Sequence, residues 1–291
     1  MSSRPATALG LGAILLWATL ASLTALKGPL PPFQTTALVF AIGGALIVAA
    51  AVVRRRAVLL RPTRASLALG IYGLFGYHAL YFAALRLAPP AEASLITSLW
   101  ALLTVLFSGL LPGHRLRLRH ILGALLGFAA AAILVGDKLG AGQRLGPGLG
   151  HDVAAPLWGY VMALGCAFVW SSYSVASRLL ASVPSESLAA PSLITAVLAG
   201  LLSLAFETWT APESGVAWAA LVGLGLGPLG AAFLLWDTGM KKGNVPLLGV
   251  LSYVALILST ALLVALGFAE PEWTLAEACV LMVAAAVIAA R

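Results

Sequence analysis

Trp17, Trp100, Trp170 and Trp236 lie well inside apolar runs of this sequence or within two turns of their ends, together with Tyr77, Tyr81, Tyr173, Tyr253 and a single intramembrane-type histidine, His78. An indole N–H or a phenol O–H placed in hydrocarbon needs a partner, so such side chains turn toward polar groups or a cavity. Their spacing is helical. Tyr77 and Tyr81 are four apart, His78 and Tyr81 three, and Trp170 and Tyr173 three, so each pair shares a face. Ser94 and Ser98 are four apart as well, with Thr97 beside them, and Ser252 precedes Tyr253. The set describes a pocket with aromatic walls and hydroxyl donors, suited to a flat apolar group that carries a zwitterionic end. Two competing roles stand beside that reading. Any one of these rings also serves as helix packing, and any one hydroxyl also bonds to its own helix backbone. His78 divides between contact with a ligand or gate and a purely structural hydrogen bond, and its titration near neutral pH would let it sense protons.

The elements that must hold these residues are membrane helices. The chain has 291 residues, 61% hydrophobic and 9% charged, with a mean hydropathy of +1.02. A soluble domain carries about 25% charged residues, so most of this surface faces something other than water. Ten apolar runs, approximately 6–26, 33–53, 65–87, 90–111, 119–136, 156–180, 187–206, 216–239, 245–267 and 274–290, are each of a length to cross the bilayer as a helix. The first is too long for a secretory leader and is followed by many more, so it reads as a span. Breaks fall at Gly28-Pro29, Arg54–Arg56, Pro89-Pro90, Pro112-Gly113, Pro184, Lys241–Asn244 and Pro271. The net charge of +7 does not indicate nucleic acid, because the basic residues sit in short loops and form no basic face. Cys166 and Cys279 lie in apolar runs and read as small packing residues.

Orientation follows from Lys and Arg. With both termini cytoplasmic, Arg4, Arg54–Arg56, Arg61, Arg64, Arg115, Arg117, Arg119, Arg178, Lys241, Lys242 and Arg291 fall inside, and only Lys27, Arg86, Lys138 and Arg144 outside. That asymmetry predicts an even number of spans with both ends in the cytoplasm. Trp158, Trp209, Trp218 and Trp273 sit near outer helix ends, as an interfacial belt requires. The sequence also repeats itself weakly at an offset of 153–154: Leu11-Gly12 and Trp17 return as Leu164-Gly165 and Trp170, Ala130–Ile133 as Ala284–Val287, and the connection Arg86–Pro90 as Met240–Asn244. The offset carries five helices. An odd number forces the second copy to insert upside down, which predicts an all-α fold of ten transmembrane helices as an inverted 5+5 repeat, residues 1–150 and 151–291. Such inverted repeats underlie alternating access in carriers.

Four motifs give the chain a family resemblance. They are Leu11–Thr19 in the first run, Ser98–Phe107 in the fourth, Ala167–Tyr173 in the sixth, and Trp236 with Gly243–Val245 and Gly249–Tyr253 across the eighth and ninth. With these and the repeat, the chain resembles the drug/metabolite transporter (EamA-like) superfamily and, within it, the bacterial aromatic amino acid exporters. The resemblance implies a multi-pass protein of the bacterial inner membrane that exports aromatic and other neutral amino acids, with the lipid bilayer and a small-molecule substrate as its partners. It departs from the family pattern at Ala101 and Leu256, where prolines are common, which removes the usual cause of a kink there. It also has Gly113-His114 where many members have Gly-Glu.

Transport needs no nucleophile, metal or cofactor, and none is indicated. An intramembrane enzyme would need a catalytic constellation at one depth, and His78 has no carboxylate on its own helix face. Glu92, Asp237 and Glu277 all lie within about a turn of a helix end, and for Asp237, near the cytoplasmic end, interfacial solvation is the expected role. With no carboxylate at mid-membrane, facilitated export is favoured; the alternative is a carrier for another small substrate, proton-coupled or not. The Ala-rich runs 119–136 and 274–290 read as scaffold or as a dimer face, so monomer and homodimer both stay open.

Overall fold

The computed structural model describes residues 3–88, 90–112, 116–140, 154–268 and 273–290. Pro89, Gly113, His114, Arg115, Arg144, Pro271 and Arg291, which figured above, lie outside the described residues, as do the side chains of Arg86, Glu92 and Lys138. All regular structure among the described residues is helical, with no strand among them. Seven of the helices are long and apolar enough to cross a membrane: Ser3–Leu26, Pro32–Val53, Arg64–Leu85, Leu157–Leu180, Ser185–Phe206, Gly215–Lys242 and Val245–Ala265. Three shorter apolar helices, Ile96–Ser108, Leu118–Ala130 and Ala276–Ala285, stand at the three remaining expected positions. Large apolar side chains such as Leu15, Phe168, Leu204 and Val280 point outward, while Gln34, Ser171, Ser192 and Thr195 are buried. That inverted distribution is the mark of a multi-pass membrane protein, whose helices meet through small and polar residues and show lipid their aliphatic ones.

The chain forms two compact units, and each draws on both halves of the sequence. The first comprises residues 1–75, 176–244 and 258–270. In it, α1 (Ser3–Ala18) packs along α11 (Ala232–Lys242), and α3 (Pro32–Val53) packs along α9 (Ala189–Phe206), with α2 (Leu20–Leu26), α4 (Arg64–Ile71) and α10 (Gly215–Leu226) alongside. Glycine sets the closest approach. A Cβ on Gly43 of α3 would lie 2.8 Å from the Leu229 carbonyl and 3.1 Å from Gly230 Cα, so only hydrogen fits. The start of α3 is anchored by charge: the Glu207 carboxylate, just past α9, accepts the Phe33 and Gln34 N–H groups at 2.9 Å each and the Ser203 hydroxyl at 2.8 Å. A carboxylate at a helix N-terminus satisfies orphan donors and complements the dipole. At the other end of α3, Arg55 takes φ +53°, and the Arg56 N–H reaches back to the Ala51 carbonyl at 2.7 Å. This left-handed turn normally uses glycine, and an arginine there costs about 1–2 kcal/mol.

The second unit comprises residues 76–175, 245–257 and 271–291. Its elements are α5 (Tyr77–Leu87), α6 (Pro90–Ser108), α7 (Leu118–Gly140), α8 (Ala154–Ser177), α12 (Val245–Leu251), the start of α13 (Tyr253–Ala265) and α14 (Trp273–Ala290). The Ala-rich helices α7 and α14 pack against each other. Ala124, Ala130, Ala278 and Ala285 are sealed in the seam, while Leu122, Leu125, Val280 and Val283 face outward. Scaffold is therefore what their inner faces do. Helix α6 runs uninterrupted through Ala101, as expected without its proline; the ninth span instead breaks at Ser252, whose hydroxyl donates to the Leu248 carbonyl at 2.7 Å.

Two wide helical turns interrupt otherwise regular helices. The run Tyr72–Gly76 joins α4 to α5, and Gly227–Ala231 joins α10 to α11, both in π-helical geometry. They contain Gly73-Leu-Phe-Gly76 and Gly227-Pro-Leu-Gly230, a Gly-x-x-Gly pair at an offset of 154. Turns of this kind are rare and concentrate at functional positions.

Candidate functional site

A seam of small residues positions the main cluster. Along α8, Gly159, Ala163, Cys166, Trp170 and Tyr173 recur at three- and four-residue steps and so form one stripe. Its lower part lets α8 approach the end of α5 closely. A Cβ on Gly159 would meet Ala88 Cβ at 2.5 Å, and Ala163 packs with Ala84, Ala88 and Ala93. Cys166, fully buried, turns its thiol to the Tyr77 carbonyl at 3.5 Å. Both cysteines are free, in keeping with a packing role.

Above that seam the stripe meets the rings of α5. Tyr77 and Tyr81 stack at 5.9 Å with their planes 6° apart. Tyr77 lies 5.3 Å from Trp170, which is 5.4 Å from Tyr173 and meets Trp100 of α6 edge-on at 6.3 Å and 87°. His78 stands T-shaped on Tyr77 at 5.1 Å, and Phe82 packs on Tyr81 at 5.6 Å. Ser94 of α6 hydrogen-bonds with the Tyr81 hydroxyl, and Ser98 is one turn further along the same helix. Of the residues singled out from sequence, Tyr77, His78, Tyr81, Ser94, Ser98, Trp100, Trp170 and Tyr173 therefore belong to three neighbouring helices of one unit, with the aromatic ones in a continuous ring network. Most of them are only partly buried, which is what lining residues require. Tyr253 is also in this unit, but its ring packs on Gly127 within the apolar core of α6, α7, α12 and α14. Trp100 packs against that same core and so links it to the ring network.

Trp17 and Trp236 belong to the other unit and form a different cluster. The Trp17 indole N–H donates to the Pro228 carbonyl at 2.9 Å, inside the π turn, where the widened helix leaves that carbonyl available. Trp17 lies 5.0 Å from Trp236 and 6.3 Å from Phe233, which stacks on Phe40 at 5.7 Å. Trp236 and Phe40 are 1% and 0% exposed. This is a sealed aromatic core, and Phe40 and Phe233 were not distinguished from ordinary packing residues in the sequence.

One expectation is overturned. Asp237 is not solvated at an interface but buried in an ion pair with Lys241 at 2.6 Å. Ser185 donates to the same carboxylate oxygen at 2.6 Å, and Lys241 donates to the Val183 carbonyl at 2.9 Å. The physical reason is the connection 178–188, which folds over α11 in short 3-10 turns and removes water from it. Arg178 fixes that connection by donating to the Met240 and Gly243 carbonyls, at 3.0 and 2.7 Å, at the end of α11. Cations at a helix C-terminus are favourable there. No signal in the sequence, beyond the i,i+4 spacing, pairs Asp237 with Lys241.

The span-length apolar helices make this a multi-pass membrane protein, with polar and aromatic side chains of three neighbouring helices converging in one unit. The sequence profile of the EamA-like transporter family matches residues 4–136 and 157–291, and the chain belongs to that family. It is 50% identical over 290 residues to the aromatic amino acid exporter YddG of Ancylobacter novellus, covering 99% of this chain and 98% of that one. It is 26% identical over 279 residues to the proteins of the same name from Salmonella typhimurium and Escherichia coli, in each case over 90% of this chain and 88% of the relative. A solved crystal structure with 50% identity superposes with a TM-score of 0.90 over 99% of this chain and 97% of its own.

Proposed function

We propose that this chain exports aromatic and other neutral amino acids across the bacterial inner membrane by alternating access, without ion coupling. The observation that carries this is the Tyr77–Tyr81–Trp170–Tyr173–Trp100 network with Ser94 at its edge. Stacked and edge-on rings recognise a flat apolar side chain, and the tyrosine and serine hydroxyls with His78 supply hydrogen bonds for an ammonium or carboxylate. The naming of the Ancylobacter relative as an aromatic amino acid exporter supports the substrate class. Trp17 and Trp236 belong to the first unit, so in this reading they support the fold and do not contact substrate, while Tyr253 sits in the core against which Trp100 packs.

In this reading the fold is ten helices in two inverted sets of five, residues 1–150 and 151–291, with both termini in the cytoplasm. The matching offsets, the Lys and Arg asymmetry, the division of the family match into two segments and the paired π turns support it. The π turn Tyr72–Gly76 falls where the chain passes from one compact unit to the other, a place suited to bending during exchange of access. The lone buried acid of α11, Asp237, is neutralised by Lys241 and so offers no free carboxylate to a drug cation or a coupling proton.

The test is reconstitution in liposomes and uptake of labelled Phe, Trp, Thr, Ala and a cationic drug, with and without a pH gradient. Saturable Phe and Trp flux that persists without the gradient is expected. Absence of amino acid flux would overturn the substrate assignment, and a strict need for the gradient would overturn the facilitated mechanism.

A further inference from the structure

The first unit holds a cavity of about 660 Å³ that the transport reading does not use. It opens at the end of α3, under the connection 178–188 and against α11. Its floor is apolar, from Ile47, Ala50, Leu59, Leu234 and Leu235; its rim carries Arg54, Arg56, Lys241 and Lys242, with Glu186 as the sole acid of the lining. Lys241 is already neutralised by Asp237. Arg54 and Arg56 form no ion pair among the described residues and Lys242 feels Asp237 only at longer range, so the rim keeps a positive excess over Glu186.

The backbone underlines this. The Schellman-type end of α3 places Arg55 at φ +53°, where glycine would be free of strain, and the turn delivers both its neighbours, Arg54 and Arg56, to the same cavity. Val52, Val53 and Val58, directly beside these arginines, are exposed, so cations and exposed aliphatic groups sit at one level, as at a membrane interface. The cavity falls in the range of ~300–1,000 Å³ that holds drug-sized ligands, far more than a bare phosphate fills. A cationic rim over an apolar floor fits a group that is anionic at one end and greasy at the other.

We propose that this cavity binds the headgroup of an anionic phospholipid, its phosphate on Arg54, Arg56 and Lys242 and its glycerol and first acyl carbons on Ile47, Leu59 and Leu235. With the termini cytoplasmic, the lipid belongs to the cytoplasmic leaflet; the binding assay does not depend on that orientation or on the transported substrate, so its failure is distinguishable from failure of the transport reading. Basic pockets between membrane helices are a known setting for such headgroups.

The purified full-length protein in neutral detergent is titrated with dihexanoyl phosphatidylglycerol, dihexanoyl phosphatidylcholine, glycerol phosphate and inorganic phosphate, and thermal unfolding is followed by tryptophan fluorescence. Phosphatidylglycerol is expected to bind at least about tenfold more tightly than phosphatidylcholine, which corresponds to ~1.4 kcal/mol. R54Q/R56Q brings that ratio to about one, whereas R61Q/R64Q, which removes two arginines outside the cavity, leaves it intact. Lys242→Glu, at an exposed position, lowers phosphatidylglycerol binding independently should the double variant fold poorly. Equal binding of the two lipids, or an undiminished ratio in R54Q/R56Q and K242E, overturns the proposal. Glycerol phosphate or inorganic phosphate binding as tightly as phosphatidylglycerol overturns the lipid assignment in favour of a free phosphate.

Discussion

Helices α5 and α11 stand 154–155 residues apart in the chain, each directly after a π turn, and they have been put to opposite uses. At an offset of 154, Tyr77, His78 and Tyr81 of α5 correspond to Ala231, Ala232 and Leu235, while Asp237 and Lys241 of α11 correspond to Ala83 and Leu87. One copy carries polar rings and no charge at these positions; the other carries a charge pair and no polar ring. Trp170 and Trp17, which also correspond, follow suit. Trp170 joins the Tyr77 network, whereas Trp17 spends its indole N–H on the Pro228 carbonyl and packs against the sealed Trp236. On the proposed repeat, the π turn stands in both copies, with the polar rings beside one and the buried ion pair beside the other.

The sharpest way to break that division is at the lock. Asp237→Ala leaves the Lys241 ammonium buried without its carboxylate, so unfolding should come about 3–5 kcal/mol easier, read as a lower melting temperature in detergent. Replacing the pair together, Asp237→Leu with Lys241→Met, should recover most of that loss, because burying apolar groups avoids the desolvation cost of both ions. If the double variant melts as low as the single one, the pair is not the unit described above.

Next in size are the corresponding tryptophans. Trp170→Ala is expected to cut Phe transport about tenfold or more with folded protein still recovered, since its ring lies in the recognition network. Trp17→Phe keeps most of the packing but loses the bond to Pro228, so about 1 kcal/mol of stability should go while the Michaelis constant for Phe stays near that of the native protein. Equal effects of both on substrate affinity would erase the distinction between the two units. A smaller effect is expected at Tyr81→Phe, which keeps the stack on Tyr77 and removes only the hydroxyl bonded to Ser94. Phe and Trp flux should fall a few-fold, and Tyr77→Phe, tested in parallel, reports the second hydroxyl.

Much of the fold was legible because hydropathy, proline and glycine breaks act locally: the described helices begin and end within a few residues of the apolar runs. Which residues of α5, α6 and α8 cluster was largely legible too, because same-face spacing survives into three dimensions; that the cluster recognises substrate is the proposal. What sequence spacing cannot convey is which helices become neighbours. Hence Trp17 and Trp236 were pooled with Trp170, although they pack with Phe40 and Phe233 in the other unit. Asp237 was assigned to water for the same reason: its burial depends on a connection more than fifty residues earlier folding over it. The π turns left a signal, Gly-x-x-Gly at a fixed offset, that is visible only once the two copies are aligned.

The two buried lysines of the first unit sharpen the comparison further. Lys241 has a carboxylate partner; Lys27 has none among the described residues and donates to the Gly28 and Leu30 carbonyls at 3.1 and 3.3 Å. Burial without a counter-ion disfavours the charged form and lowers the Lys27 pKa from its ordinary 10.5. The folded protein therefore releases this proton at a lower pH than the unfolded chain does. Between the lowered value and 10.5 the unfolded state binds more protons, so this residue makes stability rise with pH across that window. Lys27→Met should flatten that rise in melting temperature above neutral pH, while Lys242→Met, at an exposed position, should leave it unchanged. A steeper rise in the Lys27 variant would mean that the ammonium is stabilised by its carbonyl partners more than burial penalises it.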